Sequence, residues 1–356
     1  MKKTFKHQRV YVCHTYYHVY VSFLKELNQP PESMGDAVLV LSTMTTAFSG
    51  IVPRIKESHV FADVVMFDEK RDTFFPELAP YMNIKGNQIK TMLGRIKYTK
   101  LLGKLEEQYI PLDFKDFKDI YVYCDSDPIG FYLNYKKIYY HAVEDGLNTL
   151  KHCDAARFRN QKFFKLKTFL SSLNLIFIQN GYGKYCLDME VNDISCLKYK
   201  YKKYIEVPRQ KLIDNLSNEQ IQLILSVFIA NIDELTTLIK NDKLLLLLTE
   251  PLCDLDTRQR IFRDILDMYK GEGEIIIKPH PSDVLDYKHL FPEHVIIDRT
   301  VPMEMLNFIP GLMFEKAVAV FTEMSGIGFA KECIRLGSDF MDKYEDPAIH
   351  RYNDNL

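Results

Sequence analysis

The segment Gly273-Glu274-Ile275-Ile276-Ile277-Lys278-Pro279-His280-Pro281-Ser282 combines a strand signal with a reactive side chain. Its three isoleucines predict a short buried strand, which must end at Pro279 because proline lacks the N–H that a strand interior needs. In open α/β sheets, ligand-handling residues follow the carboxyl ends of strands. The two prolines restrict the backbone around His280 and narrow the directions available to its imidazole. The segment therefore predicts a ligand-handling histidine, although an ordinary histidine at a strand exit fits the same pattern.

Strand and helix signals alternate around this segment in the second half of the chain. Strands are predicted at 243–249, 275–277, 295–297 and 317–321, and helices at 217–240, 256–270 and from Ser325 onward. The first helix is indicated by the capping box Ser217-Asn218-Glu219-Gln220, and the five leucines of 244–248 are typical of a strand buried on both faces. Short strands that alternate with helices predict βαβ units and a mostly parallel sheet.

The first half of the chain shows the same alternation. Strands are predicted at 10–13, 37–41, 60–67, 119–124 and 138–142, and helices at 16–27 and 88–108. A chain of 356 residues exceeds the roughly 250–300 residues at which a single hydrophobic core stops growing. We therefore expect an α/β protein with two doubly wound, Rossmann-like domains, an N-terminal one at 1–205 and a C-terminal one at 206–356.

Composition and charge exclude several classes of protein. The formal net charge of −2 is too small for a general nucleic-acid binder, so any basic surface must be local. The seven cysteines include no CxxC pair, which favours reduced thiols and argues against a disulfide or zinc framework. The polar N-terminus shows no signal peptide, and no apolar run reaches the length of about 18 residues that a membrane helix needs. The sequence thus predicts a soluble, cytoplasmic protein.

The segment 151–203 is locally basic and rich in aromatic residues. It holds eleven Lys or Arg residues against four Asp or Glu residues. Its part at 157–170 interleaves basic residues with phenylalanines and leucines, a composition that can lie on an anionic membrane. The solvated face of a core helix fits the same pattern. The sequence therefore predicts either peripheral contact with the inner membrane face or an ordinary core helix.

Three further segments place reactive side chains after predicted strands. Glu144-Asp145-Gly146 follows the strand at 138–142, and a carboxylate freed by a glycine turn suits a general base. Glu304 follows Pro302 at a predicted helix start, where its carboxylate could hold ribose hydroxyls. Ser325-Gly326 stands at a predicted strand-to-helix turn, where a hydroxyl and main-chain N–H groups can bind an anion. Each segment also has an ordinary structural interpretation, so the specificity lies in their order along the chain.

This ordered set resembles the bacterial sialyltransferases of glycosyltransferase family 52, the lipooligosaccharide and capsule sialyltransferases. Related bacterial sialyltransferases share an acid-Asp-Gly motif, a His-Pro motif and a later Ser-Ser/Thr motif. The corresponding segments here are Glu144-Asp145-Gly146, His280-Pro281 and Thr322-Glu323-Met324-Ser325. The resemblance covers about residues 8–335 and departs from the pattern in the third motif, where two residues separate Thr322 from Ser325.

The resemblance implies a metal-independent, inverting transferase with a GT-B fold, in which two Rossmann-like domains face a central cleft. Such an enzyme would move sialic acid from CMP-sialic acid, with no further cofactor, to a galactoside-type hydroxyl of a capsule or lipid-linked oligosaccharide. By this resemblance Asp145 would be the base, and His280 would protonate or hydrogen-bond the departing CMP phosphate. Ser325 would hold that phosphate and Glu304 the ribose. The other residues expected at the nucleotide are Lys278, Pro281, Thr322 and Gly326.

Several alternatives stay open on the sequence. The acids of the loop 249–256 follow a strand in the same domain as His280 and could supply the base instead of Asp145. Asp125-Ser126-Asp127 is the DxD pattern of metal-dependent transferases. A different donor, a phosphotransferase or a non-catalytic assembly protein would each fit part of the pattern. Nucleic acid is not expected as a partner, and a homodimer is one of the oligomeric states that remain open.

Overall fold

The chain folds into two compact α/β units, Met1–Ser217 (unit 1) and Asn218–Leu356 (unit 2). The computed structural model describes residues 5–82, 87–152, 154–232 and 243–351. Each unit is built on its own parallel sheet, so the expected pair of doubly wound, Rossmann-like domains is confirmed. The sequence placed the boundary at 205/206, whereas the contacts divide the chain after Ser217.

Unit 1 is built on a seven-stranded sheet. Its strands are β1 (His7–Cys13), β2 (Ala37–Ser42), β3 (Asp63–Phe67), β4 (Phe117–Val122), β5 (Tyr140–Val143), β6 (Cys186–Val191) and β7 (Tyr204–Glu206). They lie in the order β3-β2-β1-β4-β5-β6-β7, and every pair is parallel. The inner strand β1, which lies between β2 and β4, is fully buried over 10–13, as expected for a strand covered on both faces. The carboxyl ends of all seven strands therefore meet at one edge of the sheet.

Helices connect the strands of unit 1. They are α1 (Tyr16–Leu27), α2 (Val52–Glu57), α3 (Ala79–Met82), α4 (Gln88–Glu106), α5 (Pro128–Lys136), α6 (Thr149–His152), α7 (Ala155–Phe158), α8 (Phe164–Ser172) and α9 (Arg209–Asp214). Short 3-10 helices lie at Pro31–Ser33, Asp72–Phe74, Pro76–Leu78, Glu107–Tyr109 and Phe114–Asp116. α1 begins where the sequence predicts because Thr15 caps it, with its hydroxyl oxygen accepting the main-chain N–H of His18 at 3.2 Å.

Unit 2 is built on a five-stranded parallel sheet. Its strands are β8 (Leu244–Leu248), β9 (Glu274–Lys278), β10 (Val295–Ile296), β11 (Phe314–Ala319) and β12 (Ala330–Arg335), in the order β10-β9-β8-β11-β12. Its helices are α10 (Asn218–Phe228), α11 (Leu255–Met268), α12 (Tyr287–Leu290), α13 (Gly337–Met341) and α14 (Pro347–His350), with a 3-10 helix at Met303–Phe308. The leucines of β8 are all buried at the centre of this sheet, which explains why that run is continuously apolar.

Two expectations for unit 2 need correction. The helix predicted from Ser325 is absent, and residues 330–335 instead form β12, paired in parallel with β11. The main-chain N–H of Phe314 donates to the carbonyl of Phe329 at 2.8 Å, which starts this pairing. The helix from Asn218 ends at Phe228 rather than near Lys240, and residues 233–242 lie outside the described ranges.

Among the described helices, none combines the length and the apolar character needed to cross a membrane. The longest of them, α4, carries lysines along its length.

Candidate active site

Loops at the carboxyl edge of the unit 1 sheet bring six polar side chains together. The loops follow β1, β3, β4 and β5, and the six residues are His14, His18, Glu69, Cys124, Asp127 and Asp145. Hydrogen bonds or ion pairs of 2.7–3.5 Å connect them in two groups, one around His14 and one around Asp145. In open α/β sheets this is the edge at which ligands bind.

Asp145 is the most exposed member of this cluster, with a side chain that is 54% exposed. Its Oδ1 accepts hydrogen bonds from His18 Nε2 and from the Cys124 thiol, each at 2.8 Å. Within the described residues, Oδ2 accepts none. Desolvation alone would raise the pKa of Asp145, but the hydrogen bonds from His18 and Cys124 outweigh it and lower the pKa to about 2. At neutral pH Asp145 is therefore a carboxylate with one oxygen held and the other available.

The hydrogen bonds of His18 define where its ring proton lies. The main-chain N–H of His14 donates to His18 Nδ1 at 3.0 Å, so Nδ1 must be unprotonated. We therefore assign the ring proton to Nε2, which donates to Oδ1 and to the main-chain oxygen of Asp145, both at 2.8 Å. The ring is completely buried and stacks on Tyr123, with centroids 4.5 Å apart and planes 10° from parallel. These contacts leave the imidazole a single orientation.

A buried ion pair lies beside this group. His14 Nε2 is 2.7 Å from Glu69 Oε2 and 3.5 Å from Asp127 Oδ2. Burial alone would lower the pKa of His14 and raise that of Glu69, but their mutual attraction reverses both directions. Glu69 also accepts hydrogen bonds from the Ser42 hydroxyl at 2.7 Å and from the N–H of Ile129 at 2.9 Å. Glu69 thereby links His14 after β1 and the end of β2 to the first turn of α5.

The cluster contains one spacing that a metal ion could use, because a ring nitrogen of His14, one of His18 and the Cys124 sulfur lie within 4.8 Å of one another. The donor chemistry does not fit an ion. A histidine ligand presents an unprotonated nitrogen to the metal, whereas His18 Nε2 carries the proton. Burial and the charge of Asp145 raise the pKa of the Cys124 thiol well above its usual value, so it remains a hydrogen-bond donor. His18 and Cys124 therefore serve as a hydrogen-bonded support of Asp145, and the His14 ring pairs with Glu69.

The two carboxylates of the DxD pattern have separate partners. Asp125 is buried and accepts hydrogen bonds from the Tyr140 hydroxyl at 3.0 Å and from the N–H of Asn180 at 3.1 Å. Asp127 is 28% exposed and lies beside His14. Burial raises the pKa of each carboxyl to about 6. Since Asp125 anchors β5 and the loop at Asn180, the pattern does not present two free carboxylates to one ion.

Glu144, which precedes Asp145, supports the turn in which Asp145 lies. Its carboxylate is buried and accepts the main-chain N–H groups of Leu150 at 2.9 Å and Asn192 at 3.0 Å. The two acids that the sequence places side by side therefore differ in role, since Glu144 is structural and only Asp145 is exposed.

In unit 2, His280 follows β9 as predicted, and its ring proton can be assigned in the same way. The N–H of Ser282 donates to His280 Nδ1 at 3.2 Å, and the Ser282 hydroxyl lies 2.8 Å from the same nitrogen. The proton is therefore on Nε2 of this exposed ring. Desolvation, and then the positive charge of Lys278, lower the pKa of His280. At neutral pH His280 is a neutral N–H donor.

The loop that carries His280 is anchored by the buried side chain of Asp283. This carboxylate is 1% exposed and accepts hydrogen bonds from Arg258 Nη1 at 2.6 Å and from the Tyr287 hydroxyl at 2.7 Å. The N–H of Asp283 in turn donates to the carbonyl of His280 at 3.0 Å. Pro281 is exposed between the two anchored residues. The histidine thus projects from a loop whose backbone is fixed on both sides.

Lys278 is buried at the end of β9, where Nζ donates to the carbonyl oxygens of Pro279 at 2.7 Å and Arg299 at 3.3 Å. Burial lowers the pKa of Lys278 to about 7, opposed by the carboxylates of Glu304 and Asp298. Burial likewise raises the pKa of Glu304, opposed by Lys278. Lys278 therefore supports the two loops that flank His280.

The third motif lies on the loop 320–329 between β11 and β12. Buried Glu250 accepts hydrogen bonds from the N–H and the hydroxyl of Thr322, both at 2.7 Å. The N–H of Ser325 donates to Glu323 at 2.8 Å, and the carbonyl of Gly326 accepts from Asn307 at 3.1 Å. Because β12 follows, Ser325 and Gly326 stand on a loop and not at the helix N-terminus that the sequence predicted.

Comparison with known proteins identifies the chain, because residues 60–330, or 271 of 356, match glycosyltransferase family 52. The chain belongs to glycosyltransferase family 52. The resemblance seen in the three motifs is thereby confirmed at the level of the family.

Solved structures similar to this family 52 chain share its fold. The 2,6-sialyltransferase of Photobacterium sp. JT-ISH-224, solved with CMP and lactose, aligns with this chain at a TM-score of 0.56 and 9% identity. The alignment covers 92% of this chain and 71% of the sialyltransferase chain. A sialyltransferase of Photobacterium damsela has a TM-score of 0.50 at 11% identity, with coverage of 92% and 73%. An uncharacterized protein of Haemophilus influenzae is 24% identical over 192 residues, which span 52% of this chain and 58% of that protein.

The two clusters, one in each unit, contain residues that the sequence did not single out. They are His14, His18, Glu69 and Cys124 in unit 1 and Ser282 in unit 2. His14 and His18 flank the helix cap Thr15 with a spacing of four, and this spacing after a buried strand was an available signal. Glu69 carries no such signal, since a buried acid cannot be told from a solvated one until the strand order is known.

Proposed function

We propose that this family 52 glycosyltransferase moves sialic acid from CMP-sialic acid to a galactoside-type hydroxyl of a capsule or lipid-linked oligosaccharide, with inversion and without a metal ion. The observation that carries the proposal is the state of Asp145, an ionised carboxylate with one oxygen held by two donors and the other exposed. The CMP and lactose bound to the Photobacterium 2,6-sialyltransferase support the choice of donor and acceptor classes.

In the proposed reaction Asp145 Oδ2 takes the proton of the acceptor hydroxyl while that oxygen bonds to the anomeric carbon. The bond from this carbon to the CMP phosphate oxygen breaks, and CMP leaves with the bonding electron pair. Attack opposite to the leaving group inverts the configuration. A carboxylate already ionised at neutral pH is in the form that a general base needs.

His280 is the proposed donor to the departing phosphate. Its lowered pKa and its Nε2 proton favour a hydrogen bond from the neutral ring over a full positive charge. A fixed N–H donor next to developing negative charge stabilises a transition state without a cation. We propose Lys278 and Thr322 as supports of the surrounding loops, and Pro281, Glu304, Ser325 and Gly326 as contacts with the nucleotide.

Two of the alternative bases in the loop after β8 are already committed to other bonds. Glu250 accepts four hydrogen bonds, two from the N–H of Phe321 and two from the N–H and the hydroxyl of Thr322. Asp254 caps α11, with its two oxygens accepting from the N–H and the hydroxyl of Thr257 at 3.0 and 2.8 Å. Asp256 lies in the first turn of α11 and is the acid of this loop that a direct comparison should include.

We also propose peripheral contact with an anionic membrane through part of the segment 157–170. Phe163 and Phe169 are 56% and 58% exposed, and Leu166 is 51% exposed. Lys162 and Lys165 are exposed beside them. No Asp or Glu occurs between Asp154 and Asp188, so the charge of this surface is complementary to anionic lipid.

The decisive experiment measures CMP release from CMP-sialic acid with and without lactose, in the presence and absence of EDTA. We expect acceptor-dependent release that survives EDTA, and Asp145→Asn should abolish it while CMP-sialic acid still binds. Asp256→Asn is the matched control and should retain activity. Loss of activity in EDTA with rescue by manganese, or a dead Asp256→Asn beside an active Asp145→Asn, would overturn the mechanism. Release with another nucleotide sugar alone would support a different donor.

A further inference from the structure

We infer that His18 is a positioning residue of this enzyme: its Nε2–H holds one oxygen of Asp145 and thereby presents the other to the acceptor hydroxyl. The inference rests on the proposed role of Asp145 as the base. His18 lies 127 positions before Asp145 in the sequence. Its side chain is completely buried and cannot itself touch substrate.

The contacts of His18 are those of an orienting group. Both ring nitrogens of His18 form hydrogen bonds, Nδ1 as an acceptor and Nε2 as a donor. Nδ1 receives the N–H of His14, which excludes the opposite tautomer, and Nε2 reaches two oxygens of Asp145. Stacking on Tyr123 removes the remaining rotation of the ring. The fixed orientation of His18 in the first turn of α1 therefore determines where its Nε2–H meets Asp145.

The charges around Asp145 explain why such a group is needed. Glu69 and Asp127 lie in the same cluster, and their negative charges favour protonation or rotation of a third carboxylate. The ion pair of His14 with Glu69 neutralises part of this charge, but His14 does not bond to Asp145. His18 and the Cys124 thiol are the donors to Asp145 among the described residues. They keep it ionised and hold the same oxygen, Oδ1.

Two substitutions separate the two nitrogens of His18. In His18→Gln the amide N–H₂ can occupy the place of Nε2 and still donate to Asp145. In His18→Asn the shorter amide can still accept the N–H of His14 in place of Nδ1, but its reach to Asp145 is lost. His141→Asn is the matched control, because His141 forms a similar part-buried pair with Asp188 at 2.8 Å on β5 and β6 and contacts no member of the cluster.

The measurement is kcat and KM for lactose and CMP-sialic acid from pH 4.5 to 9, together with the melting temperature of each variant. We expect His18→Asn to lose about 10²-fold in kcat, the cost of misplacing a reacting group by roughly 1 Å, with KM for CMP-sialic acid unchanged. As the pH is lowered, its activity should also begin to fall at a higher pH than that of wild type, because the desolvation that raises the pKa of Asp145 is then opposed by one donor fewer. His18→Gln should restore most of kcat and the acid limb of wild type. His141→Asn should match wild type.

The outcomes distinguish this inference from the proposed function. If Asp145→Asn is inactive but His18→Asn keeps the wild-type kcat and pH profile, His18 is a core residue and only the inference fails. If His18→Asn and His18→Gln lose the same fraction of kcat, and this loss follows the fall in their melting temperatures, the substitutions act on folding. The inference then also fails. If Asp145→Asn is active, the base lies elsewhere, and the inference falls with the proposed function.

Discussion

The exposed residues of the segment 157–170 allow the strength of membrane binding to be predicted. The structure reduces the number of residues available for lipid, because Arg157 lies over the rings of Phe164 and Tyr199 at 4.7 and 4.1 Å. Phe164 and Leu170 pack on a core cluster of unit 1, and Lys167 is only partly exposed. The basic residues left on the surface are Arg159, Lys162 and Lys165.

Reversing two of these charges should be decisive. Each basic residue near an anionic leaflet contributes about 1 kcal/mol, so the exposed three contribute about 3 kcal/mol before screening. Lys162→Glu with Lys165→Glu removes about 2 kcal/mol of attraction and adds a similar repulsion. The sum of about 4 kcal/mol corresponds to roughly a 10³-fold loss of vesicle affinity, since 1.4 kcal/mol is a factor of ten.

The apolar contribution can be tested separately with Phe163→Ser and Phe169→Ser. A phenylalanine buries about 150–250 Å², and because both rings are slightly more than half exposed, each offers about 100 Å² to lipid. At about 25 cal/mol per Å² the pair is worth up to about 5 kcal/mol. The control Val284→Ser removes a side chain in unit 2 that is 70% exposed.

The assay is co-sedimentation with phosphatidylglycerol or phosphatidylcholine vesicles over a salt series, with sedimentation velocity of the free protein. We expect binding to phosphatidylglycerol only, weakening as salt rises, and lost in both double variants but not in Val284→Ser. Wild-type protein that ignores phosphatidylglycerol at low salt would refute the reasoning. If the free protein is a dimer and both double variants dissociate it, this surface instead binds a second copy of the chain.

Three further predictions concern the supports of the site. His280→Ala should lower kcat by about 10²–10⁴-fold at an unchanged melting temperature, and unaltered turnover would exclude it from the reaction. Gly130→Ala should lower the free energy of unfolding by at least about 1–3 kcal/mol, because its Cβ would lie 1.9 Å from the carbonyl oxygen of Asp125, whereas Gly50→Ala meets open space. Equal urea midpoints for the two glycine variants would contradict this. Asp283→Ala leaves Arg258 buried without its partner, and urea titration should show a loss of about 3–5 kcal/mol.

Strands β1 to β5 and β8 to β11 could be predicted because they are short apolar runs ended by punctuating residues, whereas β6 and β7 were not predicted. The helix α1 was predicted to the residue, since Thr15 caps it and the apolar period is clear. β12 was missed because it is an edge strand with four exposed residues, Lys331, Glu332, Cys333 and Arg335, and an exposed edge lacks the apolar pattern of a buried strand. Because β12 was missed, a helix was wrongly predicted from Ser325. The anion site predicted at the N-terminus of that helix depended on the same error.

Side-chain roles were predicted where they depend on position in the chain, and missed where they depend on contacts across the sheet. Asp145 and His280 stand at strand ends, which the sequence shows. The support of Asp145 by His18, and of the loop at Thr322 by Glu250, joins residues 127 and 72 positions apart. Such contacts follow from the strand order β3-β2-β1-β4-β5 and from buried hydrogen bonds, neither of which has a local signal.

Both histidines of the proposed mechanism are held in the same tautomer by the same device. A main-chain N–H, from His14 in unit 1 and from Ser282 in unit 2, occupies Nδ1 and places the proton on Nε2. One proton then points at a carboxylate that must stay ionised, and the other is available to a phosphate that becomes more negative as the donor sugar leaves. A transferase without a metal has to balance both charges with N–H donors. Because main-chain N–H groups do not titrate, this arrangement keeps the two donors in place across the neutral pH range.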